Sequence, residues 1–484
     1  MKRTSVLIIG AGAVGCAIAR ELSKYDLEVT FLDKNTDVGG DASKSNSSII
    51  HTGYDASPGT LESRLVVAAN PMYDRLCKSL DVPFQRIGAI LPAFNEEQFE
   101  QLPFIKEKAF QNGVYDVEYR SGEDLLNMEP MLNPRVMGGL FIPRESIIDP
   151  FVYVVALAEN AVQNGAKLIL EAKVLDLIRE GDAIVGVKTT KGEFLANWII
   201  NASGLYCEEI ARMAGKADYK VNPRRGQFYI LDRDTPCKVK RIVLPIPTKR
   251  TKGKLISPMI HGNLLLGPTA EDLSDKTNHD TSTEGLASVA ADVRRLVPDI
   301  RIGDTITQFS GLRPNRVPAG FNIDVYDDLA GYLNISGVRS TGLTASIAIG
   351  KYVAHTLGQV GLEMRLRDDF NPVRKGIQRM VDLSPGQRAR KITEDPSYGR
   401  IICRCESVTE GEIIEAIRSP IPARSIDAIK RRLRAGMGRC QGGFCGPKVI
   451  QILARELGLT DDAVIKSDPG SNPVVRATRK EVSQ

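Results

Sequence analysis

Gly10-Ala11-Gly12-Ala13-Val14-Gly15 is the stretch that decides the fold. The apolar run Ser5-Val6-Leu7-Ile8-Ile9 before it reads as a buried strand. Residues 14–24 read as a helix and Glu28–Asp33 as a second strand, which makes a βαβ start. Each glycine has a separate task. The first permits a tight turn, the second lets the backbone approach a pyrophosphate, and the third lets helix and strand pack closely. The helix N-terminus then faces the phosphates with its partial positive charge. Asp33 closes the second strand, 18 residues after Gly15, where it can accept hydrogen bonds from ribose hydroxyls. The expected cofactor contacts of this segment are Gly10, Gly12, Ala13, Val14, Gly15, Asp33 and Lys34.

Outward from that motif, a chain of 484 residues is long enough for two or three domains. Hydrophobic residues at 42% and charged residues at 25% are ordinary for a globular protein with a core. The net charge of +5 is small, and no nucleic-acid-binding motif accompanies it. Met1-Lys2-Arg3 before an apolar run imitates a secretory signal, but the phosphate-loop glycines interrupt it. No run of 18 apolar residues marks a membrane span, so at most peripheral membrane association is expected. Four of the eight cysteines are scattered and four crowd into 43 residues, which favours a reducing, cytoplasmic setting over a disulfide framework.

Residues 36–60 are rich in Gly, Ser, Asn and Asp and read as loop; helical patterns follow at 61–80 and 95–112. The expected organisation is an oxidoreductase domain over 1–364, a polar connector over 365–397, a cysteine-bearing domain over 398–462 and a tail over 463–484, frayed from Asp468 onward.

The glycine motif alone does not separate NAD from FAD. Two later segments do: Trp198-Ile-Ile-Asn201-Ala202-Ser203-Gly204, a strand into a small-residue turn, and Tyr332 to Ser346, a strand, a glycine turn and a helix start. Together with the first motif they resemble the glutathione-reductase-type FAD fold. Within it the chain is similar to the D-amino-acid-oxidase-like group, which includes glycerol-3-phosphate oxidases and dehydrogenases and L-2-hydroxyglutarate oxidases. The loop Ser43-Lys-Ser45-Asn46-Ser47-Ser48-Ile-Ile-His51-Thr-Gly53 and the following Ser57-Pro58-Gly59-Thr-Leu carry the resemblance further. So do Ile148-Asp149-Pro150, Arg225-Gly226-Gln227, His261-Gly262-Asn263 running to Gly267-Pro268-Thr269, and Gly311-Leu-Arg313-Pro314.

The resemblance implies an α/β architecture. A Rossmann-like FAD domain would be built from segments at about 1–80, 145–220 and 330–364, and an interleaved substrate domain would carry an antiparallel sheet. It adds cofactor contacts at Ser45, Asn46, Ser47, Val174, Ala202, Ser203, Gly204, Gly311, Arg313, Gly337, Thr341, Gly342, Leu343 and Thr344. His51, one of four histidines, falls at the family's base; a near-neutral side chain suits removal of a hydroxyl proton as hydride leaves for the flavin. His261, beside a Gly-Asn turn, is expected to be structural. Arg313 falls at the substrate arginine, suited to clamping a carboxylate or phosphate. Ser340 falls at a serine near the substrate anion, although Thr341 stands where proline often follows. A substrate-side lysine would fall at Lys252 or Lys254, and Arg225 could also line the pocket.

Cys403-Arg-Cys405 and Cys440-Gln-Gly-Gly-Phe-Cys445 can hold zinc or an iron–sulfur cluster. CxC with CxxxxC is unusual for zinc. The surrounding Ile401 to Ile413 and Gly438 to Pro447 closely resemble the bacterioferritin-associated-ferredoxin-like [2Fe–2S] domain, a small helical module. Thr409 with Glu412 reads as a capping box opening its first helix.

The two halves imply an FAD dehydrogenase that passes electrons through a [2Fe–2S] cluster to a partner flavoprotein, a ferredoxin-like carrier or a quinone-linked subunit, an arrangement that allows a hetero-oligomer. The leading substrate is sn-glycerol 3-phosphate, ahead of L-2-hydroxyglutarate or another 2-hydroxy acid, and then opines or imino acids. Two readings of other classes stay open: an electron-transfer subunit whose flavin a partner reduces, and a redox-sensitive regulatory cysteine module.

Overall fold

Val6, Leu7 and Ile8 are fully buried because β1 (Arg3–Ile9) runs through the middle of a largely parallel sheet. A strand covered on both faces reads as a continuous apolar run. The computed structural model describes residues 3–247 and 253–476. The sheet runs Val174–Glu180, Ala183–Thr189, Leu329–Ser336, Gly192–Asn201, β1, β2 (Val29–Leu32), Lys167–Ile169, with Asn322–Tyr326 paired to Leu329–Ser336. β1 lies parallel to both its neighbours. α1 (Ala13–Leu22) leaves it through the glycine motif and packs against the helices Pro150–Gln163 and Gly342–Gln359. A Cβ at Gly15 would stand 1.8 Å from the Gly10 carbonyl oxygen, so the third glycine sets the strand–helix approach.

A second, nine-stranded and mainly antiparallel sheet is the expected substrate domain. Its long ribbon pairs Lys220–Leu231 with Thr305–Val317 and places Arg224 opposite Arg313 and Gly226 opposite Gly311. A three-stranded sheet of Ile49–Ile50, Ser146–Ile148 and Phe84–Arg86 carries the chain past the flavin loop, pairing Ile50 with Ser146.

The chain divides into two compact units: residues up to Lys34 with Gly39–Arg374, and Asn35–Val38 with the chain from Lys375 onward. The second contains the helices Glu410–Ile417, Ile426–Leu433 and Gly446–Leu457 around their own apolar core, and the helix Pro385–Glu394, which buries no residue. Thr409 and Glu412 form the expected reciprocal cap. The short segment 35–38 is held there by Asp37, 2% exposed, which accepts from Arg431 at 2.7 Å and from Arg432 at 2.8 and 2.9 Å. Burial alone would raise this carboxyl; the guanidiniums of Arg432 and Arg431 outweigh it and hold it at about 2.

Two boundaries differ from expectation. The polar stretch 365–397 is not one connector. The Arg365 carbonyl accepts from Asp26 N–H, Arg367 N–H donates to the Lys24 carbonyl, and Arg374 pairs with buried Glu159 at 2.6 Å, so 365–374 belong to the first unit. Residues from Lys375 join the second, where Met380 N–H donates to Glu412. The start of the stretch expected to fray is tied in: the Ser471 carbonyl accepts from Lys466 N–H, and Asn472 Nδ2 donates to the Asp462 carbonyl.

Candidate active site

The cofactor side of the first unit follows from small residues. Gly12, Ala13 and Val14 at the start of α1 and Ser340, Thr341, Gly342 and Leu343 at the start of the long helix open into one cavity of 640 Å³. Two helix N-termini therefore point partial positive charge into the same space. Ser45, Asn46, Ser47, Ala202, Gly204, Gly311 and Gly337 line it as well. A Cβ at Gly311 would meet the Ser45 carbonyl oxygen at 2.1 Å, which shows how closely the flavin loop crosses the substrate sheet. Ser340 adopts φ of 43°, a left-handed conformation costly for a residue with a Cβ.

Other expected contacts support the walls. Gly10 and Gly15 set the turn; Asp33 accepts from Ala11 N–H at 2.7 Å. Lys34 lies over the Tyr206 ring and pairs with Asp41 at 3.4 Å. Ser203 donates to Asn201, and Val174 is packed in the core of the parallel sheet. Thr344 Oγ1 accepts from His51 N–H at 3.0 Å.

His51 lines the cavity and is partly exposed. Its Nδ1 lies 2.9 Å from Glu145 Oε2, and that carboxylate is fully buried. The other oxygen, Oε1, accepts from Thr52 N–H at 2.7 Å and Thr52 Oγ1 at 3.0 Å. Asn70 Nδ2 donates to the His51 carbonyl at 3.1 Å. Nothing in the sequence singles out Glu145. His261, by contrast, pairs with Asp149 at 2.8 Å, the residue that caps the helix Pro150–Gln163, and is not among the residues that line the cavity.

Arg313 also lines the cavity. Its Nη2 donates to the Thr269 carbonyl at 2.6 Å, and no carboxylate among the described residues hydrogen-bonds it. Gly226 makes room for it, since a Cβ there would lie 2.7 Å from Arg313 Nη2. Burial first, then repulsion from Arg224 and Arg339, pushes the guanidinium down to about 10, with Asp272 opposing. Arg339 and Arg224, the latter paired with Asp272 at 3.0 Å, line the same cavity, as do Asp55 and Glu62.

Two lysine and arginine expectations change. Lys254 is turned out of the cavity: it pairs with Asp292 at 2.5 Å, while the next residue on the strand, Leu255, faces in. Lys252 lies outside the described residues. Arg225 does not line the cavity; it is clamped by Glu271, Asn278 and the Asp280 carbonyl, and Arg224 takes the inward place. Arg225 is turned away by the period-two alternation of its strand, whereas Lys254 precedes the strand Leu255–Pro258 and is drawn off by Asp292.

In the second unit the thiols come together in pairs. Cys405 and Cys440 sulfurs are 3.9 Å apart, and Cys403 interacts with Cys445. Among the described residues no three Cys, His, Asp or Glu side chains are grouped as ligands of a single metal ion. The Cys445 thiol, opposed by burial and helped by the Gly436 and Glu406 amides, lowers Cys403 to about 6, while Cys445 itself moves up. Cys440 is lowered chiefly by the Phe444 amide and then by that of Gly442. A Cβ at Gly438 would come within 2.2 Å of the Cys405 Cβ. Four sulfurs in two close pairs, with amide donors aimed at Cys403 and Cys440, suit a thiolate-held cluster.

Residues 5–356 match the family described as FAD dependent oxidoreductase. The chain belongs to that family. Residues 401–455 of this FAD-dependent oxidoreductase match the BFD-like [2Fe-2S] binding domain. It is 43% identical over 477 residues to a glycerol 3-phosphate dehydrogenase of Caloramator mitchellensis, covering 99% of each chain. It is 24% identical to a subunit of the anaerobic glycerol-3-phosphate dehydrogenase of Escherichia coli K12, over 93% of this chain and 88% of that one. Dithionite-reduced L-alpha-glycerophosphate oxidase from Mycoplasma pneumoniae, solved with FAD bound, superposes with a TM-score of 0.73 at 30% identity, covering 77% of this chain and 99% of that one. FAD and a [2Fe–2S] cluster are thus the cofactors of this oxidoreductase, and the glycine-lined cavity and the four cysteines fit them. Among the described residues no helix is long and apolar enough to cross a membrane.

Proposed function

We propose that the chain is an FAD-dependent dehydrogenase that oxidises sn-glycerol 3-phosphate to dihydroxyacetone phosphate. The observation that carries this reading is one cavity holding a carboxylate-backed histidine and a partly buried arginine that no carboxylate among the described residues hydrogen-bonds. The first suits a hydroxyl that must lose a proton; the second suits an anion on the same small molecule. The relatives named as glycerol 3-phosphate dehydrogenase and oxidase support the choice of substrate.

Bound FAD supplies the hydride acceptor, and the cluster supplies a one-electron carrier. The protein's part is positioning and proton handling. His51 takes the C2 hydroxyl proton at Nε2. Arg313 holds the phosphate, with Arg339 and Ser340 beside it in the lining. Ser45, Asn46, Ser47 and the two helix N-termini hold FAD. Lys254 has no direct part, because Asp292 engages it.

The cysteine domain and the anaerobic dehydrogenase subunits among the relatives support a place in a multi-subunit redox assembly. The acceptor would be a partner flavoprotein, a ferredoxin-like carrier or a quinone-linked subunit. Cytoplasmic residence belongs to the same proposal, since closely grouped thiols keep a cluster best in a reducing compartment.

Anaerobic stopped-flow mixing with sn-glycerol 3-phosphate, L-2-hydroxyglutarate, lactate and proline tests the substrate. Glycerol 3-phosphate is expected to bleach the flavin with a second-order rate constant roughly 100-fold above the others, because their anions are placed differently against Arg313. Faster bleaching by any other member of the panel overturns the assignment.

A further inference from the structure

We infer that Glu145 is a positioning residue that fixes the tautomer of His51, so that Nε2 is the nitrogen able to take a proton. This rests on the reading of His51 as the base. The juxtaposition is built by register. Ile50 pairs with Ser146 in an antiparallel ladder, so the next residue on one strand, His51, meets the preceding residue on the other, Glu145. The two side chains join at 2.9 Å although 94 residues separate them.

The carboxylate is committed on both sides. Oε1 receives the Thr52 amide, which can only donate, and the Thr52 hydroxyl. Oε2 faces His51 Nδ1, and a carboxylate can only accept. Nδ1 therefore carries hydrogen, and the lone pair is left on Nε2. Glu145 has no exposed side-chain surface, so water does not substitute for it. Proton transfer leaves an imidazolium, whose positive charge the buried carboxylate then stabilises at close range.

An amide cannot reproduce this. In Glu145→Gln the oxygen is claimed by the Thr52 donors, which turns the NH₂ toward Nδ1. Nδ1 must then accept, hydrogen moves to Nε2, and the nitrogen facing the cavity can no longer take a proton.

The test uses the oxidised holoenzyme labelled with ¹⁵N-histidine. Only four histidines contribute signals, and a His51→Asn sample identifies the one that matters. Wild-type His51 is expected as the Nδ1–H tautomer and Glu145→Gln as the Nε2–H tautomer. The rate of flavin reduction in Glu145→Gln should fall roughly 100-fold or more, with the dissociation constant for sn-glycerol 3-phosphate within about twofold of wild type. An Nε2–H tautomer in the wild type overturns the inference even if the variant does not fold. A wild-type rate in Glu145→Gln beside an inactive His51→Asn removes Glu145 alone; a wild-type rate in His51→Asn removes the base and Glu145 together.

Discussion

His51→Asn is expected to slow substrate-driven flavin reduction by roughly 10³-fold, within the range that a positioned general base contributes. The flavin content should not change, because His51 is held to the fold through its backbone: its N–H donates to Thr344 Oγ1 and its carbonyl accepts from Asn70. Asparagine keeps both. Substrate affinity should also persist, since the anion is held by Arg313. The measurement is anaerobic stopped-flow bleaching at saturating sn-glycerol 3-phosphate, with FAD quantified in the same sample. A rate within a factor of a few of wild type would remove His51 from proton transfer.

Arg313→Met carries the second large effect. Methionine keeps an apolar stem in the space that Gly226 leaves and removes the charge. The dissociation constant for sn-glycerol 3-phosphate is expected to rise roughly 100-fold, the scale of a lost charge-assisted pair in a low-dielectric site. The sign of the pH dependence follows from the free enzyme. Burial and the neighbouring arginines place the Arg313 guanidinium at about 10, so it is protonated at neutral pH and the anion site is intact there. Affinity should hold from pH 7 to 9 and weaken as pH rises through about 10; in Arg313→Met it should stay low and show no such step. Equilibrium titration of the flavin spectrum with substrate under anaerobic conditions, repeated across pH, reads both. Equal affinities for the two proteins would mean that another group holds the anion.

What could be read from the sequence was local. The glycine spacing, the strand before it and the acid after it lie within one βαβ unit, and each has a backbone reason visible in the residue names. The cysteine module was legible for the same reason, because its four sulfurs sit in two short segments and its first helix announces itself by Thr409 and Glu412. Arg313 and His51 came from motif resemblance, and the structure brings them into one cavity.

What the sequence left hidden depends on register and on long-range pairing. Glu145 lies in an unremarkable Arg-Glu-Ser, and only the antiparallel match of Ile50 with Ser146 delivers it to His51. Arg225 differs from expectation by one residue of strand phase and Lys254 by its ion pair with Asp292, and composition reveals neither. The stretch 365–374 looked like a linker because it is polar; its backbone is nevertheless tied to Lys24 and Asp26. Asp37 sits in what reads as a loop, and its two arginine partners follow only 394 and 395 positions later.

The central claim is that one chain oxidises its substrate at a flavin and passes the electrons to its own cluster. The most direct measurement is anaerobic reduction of the holoprotein by sn-glycerol 3-phosphate alone, followed by optical spectroscopy and EPR on the same samples. The account predicts that the flavin bleaches and that the EPR signal of a reduced [2Fe–2S] cluster then appears, with no other reductant present. A bleached flavin beside a cluster that stays oxidised and EPR-silent would contradict it.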